Sequence, residues 1–160
     1  MKKLLAAILA GTGIFALAFA AQPMMDKAPA FALQDLDGKE VSSSDFAGKV
    51  ILLNFWATWC PPCQAEIPAL KSLHNDYQAR GFEVVGISVD EDGPEAVQAF
   101  VKKKGINYPV LMSTDEVIGA YGGIRGIPTT FLISRDGKIV KKFFGEQRKS
   151  ALEDAIKKLL

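Results

Sequence analysis

The sequence predicts one α/β sandwich with a mixed central sheet. Three observations carry this. Strand and helix patterns alternate three times, and an antiparallel hairpin and a last helix follow. The runs Val50 to Phe55 and Phe82 to Val89 are almost continuously apolar, as strands buried on both faces are. The only two cysteines, Cys60 and Cys63, lie between the first of these runs and a helical pattern. That position is the carboxyl end of a central strand, where open sheets place their sites.

The elements follow in order. Phe31 to Leu36 alternates, meets Asp37-Gly38 and returns through Lys39 to Val41, which reads as a hairpin with a tight turn. Ser44 to Phe46 reads as a short helical turn. Val50 to Phe55 is the first core strand. A helix is predicted from Pro61 to about Ala79, with prolines in its first turn, a kink at Pro68 and a stop at Gly81. Its apolar stripe holds Ile67, Leu70, Leu73 and Tyr77. The second core strand is Phe82 to Val89. Pro94 to Lys104 is a helix with Ala96, Val97, Phe100 and Val101 inward, and Lys102 to Lys104 at its solvated end. Tyr108 to Met112 is a short strand, Asp115 to Tyr121 a short helix and Thr129 to Ser134 a strand. Asp136-Gly137 turns the chain into an antiparallel strand, Lys138 to Phe144. Ser150 and Glu153 read as a capping box that opens the last helix.

The amino terminus reads as an export signal. Lys2 and Lys3 precede an apolar stretch from Leu4 to Phe19, and Ala18-Phe19-Ala20 fits a small-x-small cleavage site. Residues 1–20 are therefore expected to be a signal peptide, 21–29 a linker and 30–160 one domain. An uncleaved anchor is the alternative, although the stretch is at the short end for a membrane span. Either way the domain is expected outside the cytoplasm, periplasmic in a bacterium, as a soluble protein or one anchored at its N-terminus. Without Lys2 and Lys3 the chain has 17 basic and 18 acidic residues. Nothing in that balance suggests a nucleic acid or an anionic surface as partner.

Trp59-Cys60-Pro61-Pro62-Cys63 carries the chemistry. A cysteine at a helix start meets unpaired N–H groups and the positive end of the helix dipole, so its thiolate is stabilised. Cys60 is expected to be the exposed, low-pKa thiol and Cys63 the shielded one, about one turn on and able to close a disulfide. A structural zinc site needs more ligands than two cysteines and His74 supply. A staple over so short a loop removes little unfolded-state entropy. A redox dithiol fits better, and no metal or other cofactor is expected. A Cu(I) site is the rival from another class, without a Met-rich or His-rich tract to support it.

The element order and the stretch Phe55 to Cys63 resemble the thioredoxin-like family. The run Cys63-Gln64-Ala65-Glu66-Ile67-Pro68 and the segment from Pro94 past Met112 are similar to its exported TlpA/ResA-like branch, which includes reductases of cytochrome c maturation. The resemblance covers about residues 28 to 160. It implies a thioredoxin fold with an N-terminal β-hairpin extension and a central insertion of a helix and a short strand. It also implies a thiol–disulfide oxidoreductase, expected to reduce protein disulfides and to be re-reduced by a membrane electron donor. A monomer is expected.

The resemblance assigns site residues as well. Thioredoxin has a buried aspartate where this chain has Asn54, and the TlpA/ResA-like proteins instead have a glutamate matching Glu66. The residue pattern agrees, since Cys63, Glu66, Ile67, Leu70 and Tyr77 share one helical stripe. Burial there would raise the Glu66 pKa and suit it to carry protons for the dithiol. The alternative is a partly exposed carboxylate at the stripe's edge. Pro128 matches the family's cis-proline, so Ile127 would pair with an extended substrate. Trp59, Pro61 and Pro62 are expected at the substrate surface, with a core role as the alternative for Trp59. Trp56 is expected in the core, and His74, ~16 Å along the helix from Cys63, is expected to be structural. The peroxiredoxins, which share much of this fold, have a threonine or serine where Ala57 stands and a proline where Leu53 stands, so the resemblance does not extend to their motif. A general disulfide-exchange or peroxide-defence role remains the enzymatic alternative.

Overall fold

The computed structural model describes residues 27–160, so the expected signal peptide and most of the linker lie outside the described residues. The chain forms strands β1 (Ala32–Gln34), β2 (Glu40–Ser42), β3 (Val50–Trp56), β4 (Phe82–Ser88), β5 (Val110–Met112), β6 (Thr129–Ile133) and β7 (Ile139–Phe144). Helices α1 (Pro61–Tyr77), α2 (Pro94–Lys104), α3 (Asp115–Ala120) and α4 (Lys149–Lys157) connect them. β1 and β2 form the expected hairpin, and the other strands make one sheet in the order β5-β4-β3-β6-β7. β3 runs parallel to β4 and antiparallel to β6, so the sheet is mixed.

β3 and β4 are central because both their faces are apolar. Leu52, Trp56, Val84 and Leu132 pack with Leu70, Leu73, Leu152 and Ile156 on one side of the sheet. Leu53, Phe55, Val85, Ile87 and Phe131 pack with Phe31, Phe46, Val117 and Tyr121 on the other. Neighbouring strand residues alternate between the two clusters, as the two-residue period of a strand requires. Each such side chain contributes about 1.5–3 kcal/mol on burial, so β3 and β4 are firmly held and the end of β3 is a firm platform.

Gly86 shows how tightly the first cluster is filled. A Cβ there would stand 2.9 Å from Trp56 Nε1 and 3.3 Å from Tyr108 Cε2. Trp56 is buried, as expected, with its ring 5.7 Å from that of Phe100. His74 is also buried and structural, its Nδ1 3.1 Å from Glu83 Oε1. Glu83 is held from the other side by Lys49 at 2.9 Å.

Three expectations need correction. Ala96 faces solvent, and only Val97 of α2 is fully buried. Ser150 and Glu153 form no capping box: α4 begins two residues earlier, with Arg148 at its N-cap position and no side-chain cap. Glu153 instead accepts the Tyr77 hydroxyl and pairs with Lys157. The reciprocal cap occurs at Ser42 and Asp45, which accept the N–H groups of Ser44 and Ser42 and start the turn Ser43–Phe46. Finally, α1 ends at Tyr77, a 3₁₀ turn covers Gln78–Arg80, and Gly81 closes it at φ +79°. Pro68 lies inside the helix, as expected.

Candidate active site

β3 ends at Trp56, and α1 begins five residues later. The loop between them is clamped at Thr58. Asp90, beyond the end of β4, accepts the Thr58 N–H at 3.0 Å and also the Thr58 hydroxyl. Ser88 donates its hydroxyl to the same carboxylate at 2.7 Å. From α1, the Gln64 side-chain amide donates to the Thr58 carbonyl at 2.7 Å. Two strand ends and the helix thus fix the residue that leads into Trp59 and Cys60.

Cys60 is the N-cap residue of α1. Pro61 and Pro62 follow, and neither has an N–H. Of the first three helical positions only Cys63 supplies a main-chain donor, and it goes to Cys60 Sγ at 3.3 Å. A thiolate at Cys60 would receive this bond and the helix dipole. Cys60 and Cys63 are joined as a disulfide, with Cα atoms 5.3 Å apart. In this oxidised state Cys60 is no more open than Cys63, since each is 3 % exposed. The expectation of an exposed Cys60 concerns the thiol of the reduced protein, and the disulfide holds both sulfurs covered. The opposing segment covers the sulfur, with the Ile127 carbonyl oxygen 3.7 Å away.

The Ile127–Pro128 bond is cis. Thr129 reinforces the turn before β6 by donating its hydroxyl to the Gly126 carbonyl at 2.6 Å. Trp59 is 63 % exposed, which excludes a core role. With Val89, Ile118, Ile124 and Ile127 it lines a cavity of about 250 Å³, to which Arg125 adds a cation. Pro61 and Pro62 are exposed beside it in sequence. Larger cavities of about 370 and 500 Å³ lie by the N-terminal hairpin and touch neither cysteine. The small groove is the relevant one because it is lined by Trp59, next to Cys60 in the chain, and by Ile127, whose carbonyl lies against Cys60 Sγ.

Glu66 is 1 % exposed, so it is not an edge carboxylate. Its Oε2 accepts from Asn54 Nδ2 at 3.2 Å, and the same amide donates to Thr130 Oγ1 at 2.8 Å. Its Oε1 accepts the Gln147 N–H at 3.0 Å. Burial pushes its pKa from 4.5 up to about 7, against the Gln147 bond, with the Glu146 charge adding to the rise. A carboxyl that titrates near neutrality, one turn from Cys63, can take or give a proton under working conditions. Asn54 is neutral and donates here, which orients Glu66 without competing for its proton.

Sequence reasoning did not find Asp90, Thr58, Gln64, Thr130 or Gln147. The Ser88-x-Asp90 spacing at a strand's carboxyl end was a usable signal for the first. The Gln147 contact is made by main chain and leaves no mark in residue type.

A family model described as Redoxin matches residues 24–159. The chain belongs to the redoxin family. The redoxin is 41% identical over 134 residues to the thiol-disulfide oxidoreductase ResA of Bacillus anthracis, covering 83% of this chain and 76% of that protein. To ResA of Bacillus subtilis it is 41% identical over 128 residues, 79% and 70% of the two chains. A thiol:disulfide interchange protein of the thioredoxin family from Chlorobium tepidum superposes with a TM-score of 0.80 at 39% identity, over 87% of this chain and 99% of that one. A secreted thiol-disulfide isomerase from Corynebacterium glutamicum gives 0.77 at 28% identity, over 82% and 84%. The redoxin therefore has the expected thioredoxin fold, with the hairpin β1–β2 before it and α2 and β5 inserted. It is a thiol–disulfide oxidoreductase, and Cys60 and Cys63 are its only cysteines.

Proposed function

We propose that this redoxin reduces disulfides of exported proteins outside the cytoplasm, with cysteine pairs of cytochrome c precursors among its substrates. The observation that carries the reading is the placement of the Cys60–Cys63 pair. Cys60 Sγ sits on the Cys63 N–H and beside the carbonyl of Ile127, a residue that also lines the apolar groove. The Ile127 main chain is the ledge against which an extended substrate segment pairs, as an added strand. Trp59, Pro61 and Pro62 are exposed around it, and Pro128 is buried behind the ledge, where its cis bond sets the course of the Ile127 main chain.

In the reduced enzyme the Cys60 thiolate attacks one sulfur of the substrate disulfide. A mixed disulfide forms, and the other substrate sulfur leaves as a thiolate that takes up a proton. Glu66 accepts the Cys63 proton through water. The Cys63 thiolate then attacks Cys60 Sγ and releases the second substrate thiolate. Two electrons pass to the substrate, and the enzyme is left with the Cys60–Cys63 disulfide. A membrane electron donor returns it to the dithiol. The cysteine pair is the only redox group this cycle uses.

The amino-terminal pattern of Lys2, Lys3 and the apolar stretch to Phe19 supports export. So does the secreted relative. No helix among the described residues is long and apolar enough to cross a membrane.

Trapping tests the reading. A Cys63→Ser variant should hold a mixed disulfide with its substrates through Cys60, and Cys60→Ser should hold none. Identification of the captured chains names the substrates. Capture by Cys60→Ser alone would reverse the two roles, and capture by neither would reject the reading.

A further inference from the structure

The chain turns between β7 and α4 over Gly145 to Arg148, and the turn is tied to the site at two points. The Gly145 N–H donates to the Pro128 carbonyl at 2.9 Å. The Gln147 N–H donates to Glu66 Oε1 at 3.0 Å. The turn is also braced internally. The Gln147 side-chain amide donates to the carbonyls of Phe144 at 2.9 Å and Gly145 at 3.0 Å. Gly145 has φ +70°, a conformation that favours glycine. Gln147 is half-buried between exposed Glu146 and Arg148.

We propose that Gln147 is a positioning residue for the exchange reaction: its side chain braces the turn, and its N–H holds Glu66 Oε1 in the orientation from which the carboxyl serves the cysteine pair. This rests on the role given to Glu66 above. The carboxyl has two oxygens and two donors, Asn54 on one side and Gln147 on the other. Loss of either would free it to rotate. An N–H donor also favours the charged form of a buried carboxylate. The groups facing Glu66 are Asn54 from β3, Cys63 on its own helix, the Glu146 charge and the Gln147 N–H from the turn, and the Tyr108 phenol ahead of β5. Burial and the Glu66 charge push the Tyr108 pKa well above its ordinary value. The turn therefore presents opposed influences one residue apart: the Gln147 bond lowers the Glu66 pKa and the Glu146 charge raises it. The same turn holds Pro128, so acid and ledge share one main-chain support.

The experiment follows proton and nitrogen resonances of Gln147 together with the Glu66 carboxyl carbon, through a pH titration of the whole chain. The Gln147 amide should shift with the carboxyl, at a midpoint near 7, and should stay flat in Glu66→Gln. Gln147→Pro deletes the donor. It should raise the Glu66 midpoint, and the pH–rate profile of thiol exchange with it, by about one pH unit or more. Gln147→Ala keeps the N–H but loses the brace, and should give a smaller shift in the same direction. A purely structural turn would lower the melting temperature and leave both midpoints where they were. If Gln147→Pro does not fold, the wild-type titration and Gln147→Ala decide. A Gln147 amide indifferent to the Glu66 titration overturns the proposal, as does a folded Gln147→Pro with the wild-type midpoint. Should the amide follow Glu66 while Glu66→Gln leaves exchange unchanged, the hydrogen bond stands and the role of Glu66 falls.

Discussion

Asp90 holds Thr58 by both its main-chain N–H and its hydroxyl, two residues before Cys60. The carboxylate is buried and also accepts from Ser88. Asp90→Ala would strand the Thr58 N–H and two hydroxyls. A stability loss of about 2–4 kcal/mol is expected in denaturant titrations, with slower exchange because the loop before Cys60 is loosened. Asp90→Asn, which can still accept from the Thr58 N–H, should lose less of both. Full exchange activity in Asp90→Ala would show that the clamp does not serve the site.

Glu66 makes stability depend on pH. Its native pKa lies near 7, above its ordinary 4.5, so the unfolded carboxyl gives up its proton first as pH rises. The native state is disfavoured progressively from about pH 4.5 to 7, and the penalty is constant above that. Its full size is about 3 kcal/mol. Glu66→Gln should abolish this slope. Parallel unfolding curves of wild type and variant across the window would contradict the raised value.

Reduced protein should react first at Cys60, because its sulfur faces the helix start and the Cys63 N–H. Brief alkylation near neutral pH, followed by peptide mass mapping, reads the order. Faster labelling of Cys63 would exchange the attacking and resolving roles.

Trp59 is exposed and lines the groove beside Ile127. Trp59→Ala should change stability by no more than about 0.5 kcal/mol. Reduction of a protein disulfide should slow several-fold, and that of a small aliphatic disulfide much less. Equal slowing on both would place the tryptophan outside substrate recognition.

Gly86→Ala tests the packing behind the site. Its Cβ would meet the Trp56 ring at 2.9 Å and Tyr108 at 3.3 Å, two rings that cannot easily shift. A loss of about 1–3 kcal/mol is expected in thermal or denaturant melts. A variant as stable as wild type would mean that the cluster has room to yield.

The parts legible in sequence are those written in local pattern. β3 and β4 showed as apolar runs, α1 as a 3.6-residue stripe, Cys63 and Glu66 as positions on that stripe, and Cys60 as the residue at its start. What escaped depends on partners far along the chain. Asp90 and Thr58 are 32 residues apart, and Gln147 and Glu66 are 81 apart. The false capping box has the same origin. Glu153 has the right spacing from Ser150, but Tyr77, 76 residues away, takes the carboxylate. Ala96 misled because alanine fits a helix on either face, and its small apolar side chain says little about burial.

The order of the sheet also bears on how the protein stays dispersed among the unfolded chains it would meet. One edge strand, β5, is partly covered, because Asp35 beside the hairpin bridges to Leu111. The other edge, β7, has a bridge from Lys27 to Lys138 just before it, and beyond that its outer rim carries exposed Lys141 and Lys142. An unpaired edge can recruit foreign strands, and lysines are among the devices that discourage it. Strand pairing is thus discouraged along the charged rim, on the far side of the sheet order from the β4 end that clamps the Cys60 loop.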